Sequence, residues 1–217
     1  MDYLRAVYGT DIRAFVPQLA LSGGTVIACG CKEIYMGKHS SLGPIDPQIG
    51  GTAAHGVIEE FKRATQDVKD NPDTILVWQP ILNKYPIAFI DRCEKLLEMV
   101  EQMVGGWLST GMFKNEDHPV TLTDEKGNQI TVPKSSHIAS TLINAGIFKS
   151  HDRHIAPADC IEIGLKICLL EDDSDLQDAV LSIHHACIQT LTGTLAKKII
   201  ENHNGKAFIQ FAPPIQT

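Results

Sequence analysis

The most constraining feature of this chain is a short succession near its start. Ala14 to Leu21 reads as one buried strand, Ser22-Gly23-Gly24 breaks it, and Thr25 to Cys31 continues as a run of small, mostly apolar residues. A strand, a glycine-rich break and a helix of small side chains in immediate sequence fit a sharp corner whose helix packs tightly against a sheet. The chain is therefore expected to be an α/β protein with Ser22 at a strand-to-helix turn.

The remaining elements are arranged around that corner. Leu4, Val7, Tyr8 and Ile12 recur at helical spacing within Asp2 to Ile12, and Glu33 to Met36 reads as the next strand. Gly37 to Gly51 holds glycines and prolines with few helix formers, so it is expected to be a structured loop. Gly56 to Lys69 predicts an amphipathic helix ended by Asn71-Pro72, and Asp91 to Leu108 a stronger one that Gly105-Gly106 loosens at its end. Pro119 to Pro133 alternates about Lys126-Gly127-Asn128 as a hairpin, and Ser135 to Ala145 is a helix stopped by Gly146. Residues 109–147 are accordingly read as an insertion or arm. Ser174 is placed as the cap of a long helix from Asp175 to Asn202, with Leu191, Leu195 and Ile199 on one face. This gives one domain over residues 1–170 and a C-terminal helical extension over 171–217.

Composition removes several function classes. A formal net charge of −7 without clustered Lys and Arg argues against a nucleic-acid or anionic-membrane footprint. No apolar run reaches the roughly 18 to 20 residues of a membrane-spanning helix. The six cysteines lie mostly in apolar stretches and read as reduced core thiols, which suits the cytoplasm. Cys29 and Cys31 lack a second ligand pair at zinc spacing, so no metal is expected.

A serine that attacks a carbonyl needs an exposed hydroxyl, backbone N–H donors for the oxyanion, and a base. Ser22 at the corner meets the first two demands, with the N–H of Gly23 at the start of the helix as oxyanion donor and glycines that let a substrate backbone approach. On these three residues alone, the plain reading of Ser22 as the N-cap of a turn before a helix is the favoured one.

The longer string ALSGGTVIACGCKEIYMGKHSSLGPIDPQ resembles the nucleophile region of the serine dehydrogenase proteinase family, ClpP-class serine peptidases related to signal peptide peptidase SppA. HDRHIAPADCIEIGL resembles, without a gap, the ClpP segment in which a catalytic aspartate precedes a short helix, and the tail LSIHHACIQTLTGTLAKKIIENHNG looks like the helical end of the proteinase family. The resemblance implies a ClpP/crotonase-like spiral of β-β-α units and a serine endopeptidase working by acyl-enzyme chemistry, without a cofactor. Its substrate is a peptide or protein, and assembly into a homo-oligomer is expected.

Two triads compete under this resemblance. One uses Ser22 as nucleophile, His151 as base and Asp46 of GPIDPQ as the acid; the other takes Asp152 as the acid. Adjacent residues of an extended segment face opposite ways, so at most one of His151 and Asp152 is expected to face Ser22. Asp46 can also be a simple Asp-Pro turn former. His39 and His55 are fallback bases, His184-His185 reads as packed or solvated, and Lys32 and Lys38 raise a serine-lysine dyad of the SppA kind.

Members of this class take part of the oxyanion hole from a glycine pair after an earlier strand. No Pro-Gly-Gly segment precedes Ser22, so the N-terminal part of the fold is expected to be missing, and that upstream part could carry a membrane anchor. Two further readings follow: a catalytically silent ClpP-fold scaffold, and a crotonase-like acyl-CoA enzyme with Asp46 and Glu33 as nearby carboxylates.

Overall fold

The computed structural model describes residues 1–123, 127–144 and 154–213 of the chain. They fall into two compact units, Met1–Leu169 and Leu170–Thr217. Helix and strand are mixed throughout, and no helix among the described residues is long and apolar enough to cross a membrane.

The first unit opens with helix α1 (Asp2–Tyr8), then strands β1 (Arg13–Val16) and β2 (Leu19–Ala20) and helix α2 (Gly23–Cys29). The single strand expected over Ala14 to Leu21 is in fact two. Pro17 has no N–H to give to a ladder, and the chain bends at Pro17-Gln18. The two pieces pair with different partners. β1 runs parallel to β3 (Glu33–Met36), from Arg13↔Glu33 to Val16↔Met36. β2 runs parallel to β4 (Ser41–Leu42), with Leu19↔Ser41 and Ala20↔Leu42. The bend therefore carries the chain out of one sheet and into another just before Ser22.

A small antiparallel pair, β5 (Gln48–Ile49) and β6 (Thr52–Ala53), leads into α3 (Ala54–Asp70), followed by α4 (Ile75–Leu82) and α5 (Phe89–Thr110). The 22 residues of α5 run through Gly105-Gly106 rather than fraying there. Gly105 is buried where a Cβ would stand 3.8 Å from Ser136 Cα, so packing against the next helix outweighs the low helix propensity of glycine. The hairpin β7 (Pro119–Thr123) and β8 (Gln129–Pro133) pairs from Pro119↔Pro133 to Thr123↔Gln129. It leads into α6 (Lys134–Ile143), whose Ile138, Ala139, Leu142 and Ile143 join the main core. Helix α7 (Pro157–Ile163) precedes β9 (Ile167–Leu169), the third parallel strand, in register with β3 from Ile34↔Ile167 to Met36↔Leu169.

The core lies between this sheet and the helices. Ile34 and Met36 alternate inward from β3 and meet Cys29 of α2, Val104 and Leu108 of α5, and Leu142 of α6, all completely buried. Side chains of this size contribute about 1.5–3 kcal/mol each on full burial. All six cysteines are free thiols, and Cys29, Cys31, Cys93 and Cys160 are buried.

The second unit holds α8 (Ser174–Gly193) and an antiparallel hairpin of β10 (Ala196–Glu201) and β11 (Ala207–Phe211). The long helix expected from Asp175 to Asn202 thus ends early. Its apolar period runs on through Leu195 and Ile199, but the β-branched pair Ile199-Ile200 enters a strand opposite Phe208 and Ile209. Asn204-Gly205, expected to close the helix, forms the hairpin turn instead, with Gly205 at φ 71°. The helix is capped by Asp173 rather than Ser174: Asp173 Oδ1 accepts from the N–H of Leu176 at 3.0 Å.

Candidate active site

Ser22 occupies the corner between β2 and α2 with φ 48° and ψ −111°. A residue with a Cβ pays for that conformation in steric strain, so it persists only where its surroundings over-determine it. The capping role is not taken up. Ser22 stands at the N-cap position, yet its hydroxyl makes no bond to the helix it precedes. The side chain is half-buried, and Gly23 beside it is exposed with nothing within 4 Å of where a Cβ would stand. As the first residue of α2, Gly23 has an N–H with no acceptor inside the helix.

Three contacts hold the corner in shape. The N–H of Gly24 donates to Leu21 O at 2.8 Å and closes the turn, and the N–H of Val26 donates to Ser22 O at 3.0 Å and starts the helix. A Cβ on Gly24 would lie 3.2 Å from Ala20 Cβ, which is why the helix can sit so close to its strand. Thr25, fully buried, supplies the third contact. Its Oγ1 lies 2.6 Å from Ala20 O and 2.9 Å from Gly43 O, and it accepts from the N–H of Gly43 at 3.1 Å. One hydroxyl thus joins strand β2, helix α2 and the loop after β4. Neither Thr25 nor Gly43 stood out in the sequence; the available signal was a lone hydroxyl inside an otherwise small and apolar run.

The loop expected over Gly37 to Gly51 is structured, and every residue from Ser40 to Asp46 is buried. Asp46 is 1% exposed. Its Oδ1 accepts from the N–H of His55 at 3.2 Å, in the first turn of α3. The carboxylate is thus held by main chain at the start of a helix, where its charge is favoured. Burial raises the nearby Cys93 thiol above its usual pKa, and the charge of Asp46 adds to that shift while Arg92 opposes it.

On the other side of β4 lie His154 and Ile155. Leu42 and Ile155 exchange main-chain bonds of 3.0 and 2.8 Å, and Ser41 Oγ lies 3.0 Å from His154 Nδ1. His151 and Asp152 lie outside the described residues. The other candidates are dispersed. His39 is exposed, His55 is engaged through its main chain, and His184 and His185, 5.8 Å apart by ring centroids, belong to the second unit. Lys32 Nζ is paired to Asp11 at 3.0 Å, and Glu33 accepts from Arg13 Nε at 3.2 Å, so neither is turned to chemistry at Ser22.

Thiol chemistry finds no support at the corner. Burial, with Cys160 and Cys31 adding to it, raises Cys29 to about 12, and burial together with Asp159 raises Cys160 to about 12. Both are protonated at neutral pH and poor nucleophiles.

The sequence model of the family described as ClpP-like SDH-type serine proteinase matches residues 5–142, a span that includes Ser22, Gly23 and Asp46. Two proteins of Methanocaldococcus jannaschii are similar over shorter stretches. The uncharacterized protein MJ1495 is 32% identical over 89 residues, 41% of this chain and 26% of that protein. The uncharacterized protein MJ0137 is 36% identical over 66 residues, 30% of this chain and 23% of that protein. The chain thus covers about a quarter of the length of these curated relatives. No solved structure matches it.

Proposed function

The chain belongs to the ClpP-like SDH-type serine proteinase family, and from that premise we propose that it is a serine endopeptidase with Ser22 as nucleophile. The observation that carries this reading is the backbone of Ser22: φ 48°, ψ −111°, at a corner where the hydroxyl declines the capping bond open to it. Strain held at a strand-to-helix turn, with the serine oxygen uncommitted, is the arrangement of a nucleophile elbow.

In the proposed reaction Ser22 Oγ attacks the carbonyl carbon of a peptide bond and His151 takes its proton. The N–H of Gly23 donates to the oxyanion that forms. Collapse of the tetrahedral intermediate breaks the C–N bond, and His151 returns the proton to the departing amine. Water then attacks the acyl-enzyme by the same route and restores the serine. Asp46 is the acid that orients the imidazole. Its burial and its main-chain donor support this role, since a triad carboxylate must keep its charge and direction without solvent. Asp152 is the alternative acid. The pairing of Leu42 with Ile155 supports a base from this region, because it fixes the chain four residues after His151 beside the strand next to β2.

The finer fold reading, a spiral of β-β-α units, is favoured by the succession β1-β2-α2, in which one strand in each of two sheets precedes a helix. An extended peptide substrate would add as a strand beside the corner. The free thiols favour a reducing compartment such as the cytoplasm, and a homo-oligomer accords with the family. The thioester reading is the weaker one, because Glu33 is committed to Arg13.

The test is covalent labelling with a fluorophosphonate, read as intact mass on wild type and Ser22→Ala. One adduct per wild-type chain and none on the variant supports the peptidase. An unlabelled wild type that is folded overturns it and leaves the scaffold.

A further inference from the structure

The second unit carries little core of its own. Among its described residues only Leu170 and Ala196 are buried apolar side chains, and α8 buries none. Its hairpin has two strands, a number that depends on a helix or a further strand against it for stability. Among the described residues neither outer edge of that hairpin pairs with another strand, and the two edges are unlike. On β10 the edge carries Lys197, Lys198 and Glu201, and its register slips by a residue between Ala196 and Lys198. Lysines and bulges of this kind discourage further strand pairing. β11 reads Ala-Phe-Ile-Gln-Phe, is exposed at all five positions, and has neither charge, bulge nor proline; Phe208 and Phe211 are 60% and 59% exposed. One edge is guarded and the other is open.

The direction of its main chain follows from the ladder. The N–H of Asn202 donates to Lys206 O at 3.0 Å, so by antiparallel alternation Ile200 and Phe208 form the next bonded pair. The N–H and C=O groups of Ala207 and Ile209 therefore point outward from β11.

We propose that β11 is a dimerisation strand that pairs antiparallel with β11 of a second copy about Ile209. The strand is its own complement in this register. Ile209 meets its equivalent, small Ala207 lies opposite Phe211, and Phe208 lies opposite Gln210, with no like charges facing each other. The order β10-β11-β11-β10 consumes both open edges and leaves only guarded ones, so assembly closes at two by a two-fold axis. The same logic selects a second copy over an unrelated partner. The inference does not depend on the chemistry at Ser22.

The test compares sedimentation of the intact chain with Ile209→Pro and Ile199→Pro. By the same alternation both residues turn their N–H outward, so each proline spares the β10–β11 ladder and blocks one free edge. Ile209→Pro is expected to halve the number of subunits, or to raise the dissociation constant at least about tenfold, while Ile199→Pro leaves assembly unchanged. Hydrogen exchange at Ile209 should also slow as wild-type concentration rises. A monomeric wild type, an assembly insensitive to Ile209→Pro, or one broken by Ile199→Pro instead overturns the proposal.

Discussion

A Cβ placed on Gly43 would come within 2.7 Å of Leu21 Cδ2 and 3.3 Å of Leu21 Cα, so the loop after β4 passes directly against the residue before Ser22. The corner is thus shaped from outside as well as from its own turn. Gly43→Ala must displace Leu21, and with it the serine. We expect a loss of about 1–3 kcal/mol in urea unfolding together with slower fluorophosphonate labelling. A variant as stable as wild type would mean that the Leu21 side chain simply swings away.

Ser22→Gly separates strain from chemistry. Glycine relieves strain of about 1–3 kcal/mol at φ 48° against about 0.4–1 kcal/mol of added unfolded-chain entropy, so the variant is expected to unfold at higher temperature, with a net gain of about 1 kcal/mol, while labelling disappears. Loss of stability instead would indicate that Ser22 is structural.

Thr25→Val keeps the shape of the side chain but takes its hydroxyl donor away from Gly43 O, while the N–H of Gly43 still donates to Ala20 O at 3.1 Å. A cost of about 1–3 kcal/mol is expected for the buried Gly43 carbonyl deprived of its donor, with Thr25→Ser restoring most of it. Equal stability of the Val and Ser variants would show that the hydroxyl carries no such burden.

Asp46→Asn retains an oxygen for the N–H of His55 but removes the charge. If Asp46 orients the base, labelling falls at least about a hundredfold with the melting temperature little changed. Asp46→Ala should lose both. Labelling at the wild-type rate in Asp46→Asn would confine Asp46 to anchoring α3 and move the acid to Asp152.

Cys29 and Cys160 make stability fall in alkali. Their folded values, raised to about 12 by burial, exceed the ordinary thiol value of 9.0, so below pH 9 both folded and unfolded chains keep the protons and the contribution is intact. Between about 9 and 12 the unfolded chain releases protons that the folded one holds, and stability drops by about 1.4 kcal/mol per pH unit for each thiol. Urea midpoints from pH 8 to pH 10 measure this, and the double variant Cys29→Ala/Cys160→Ala should flatten the slope. Parallel slopes in the two proteins would contradict it.

The corner, the β3 strand, the amphipathic helices and the hairpin at Gly127 were legible in the sequence because each is set by local chemistry: a glycine break, a 3.6-residue period, a turn between alternating strands. What escaped was set by partners distant in the chain. Pro17 splits a strand that hydrophobicity alone joins, since the ladder depends on a missing N–H rather than on side chains. Gly105 continues a helix because α6 lies against it. Ile199 leaves the helical period because β11 offers it a ladder. At the site, Ser22 and Asp46 stand out by motif, whereas Thr25 and Gly43 take their meaning only from contact with each other.

Burial of every residue from Ser40 to Asp46 has a consequence for the lifetime of the protein. To be cut, a segment must be drawn out as an extended strand with its main chain free. This one has its main chain bonded to Gln18, Ala20 and Leu142, and Pro44 removes one of its donors. The stretch on which the corner most depends is therefore withdrawn from proteolysis, including any that a second molecule of the same protein could carry out.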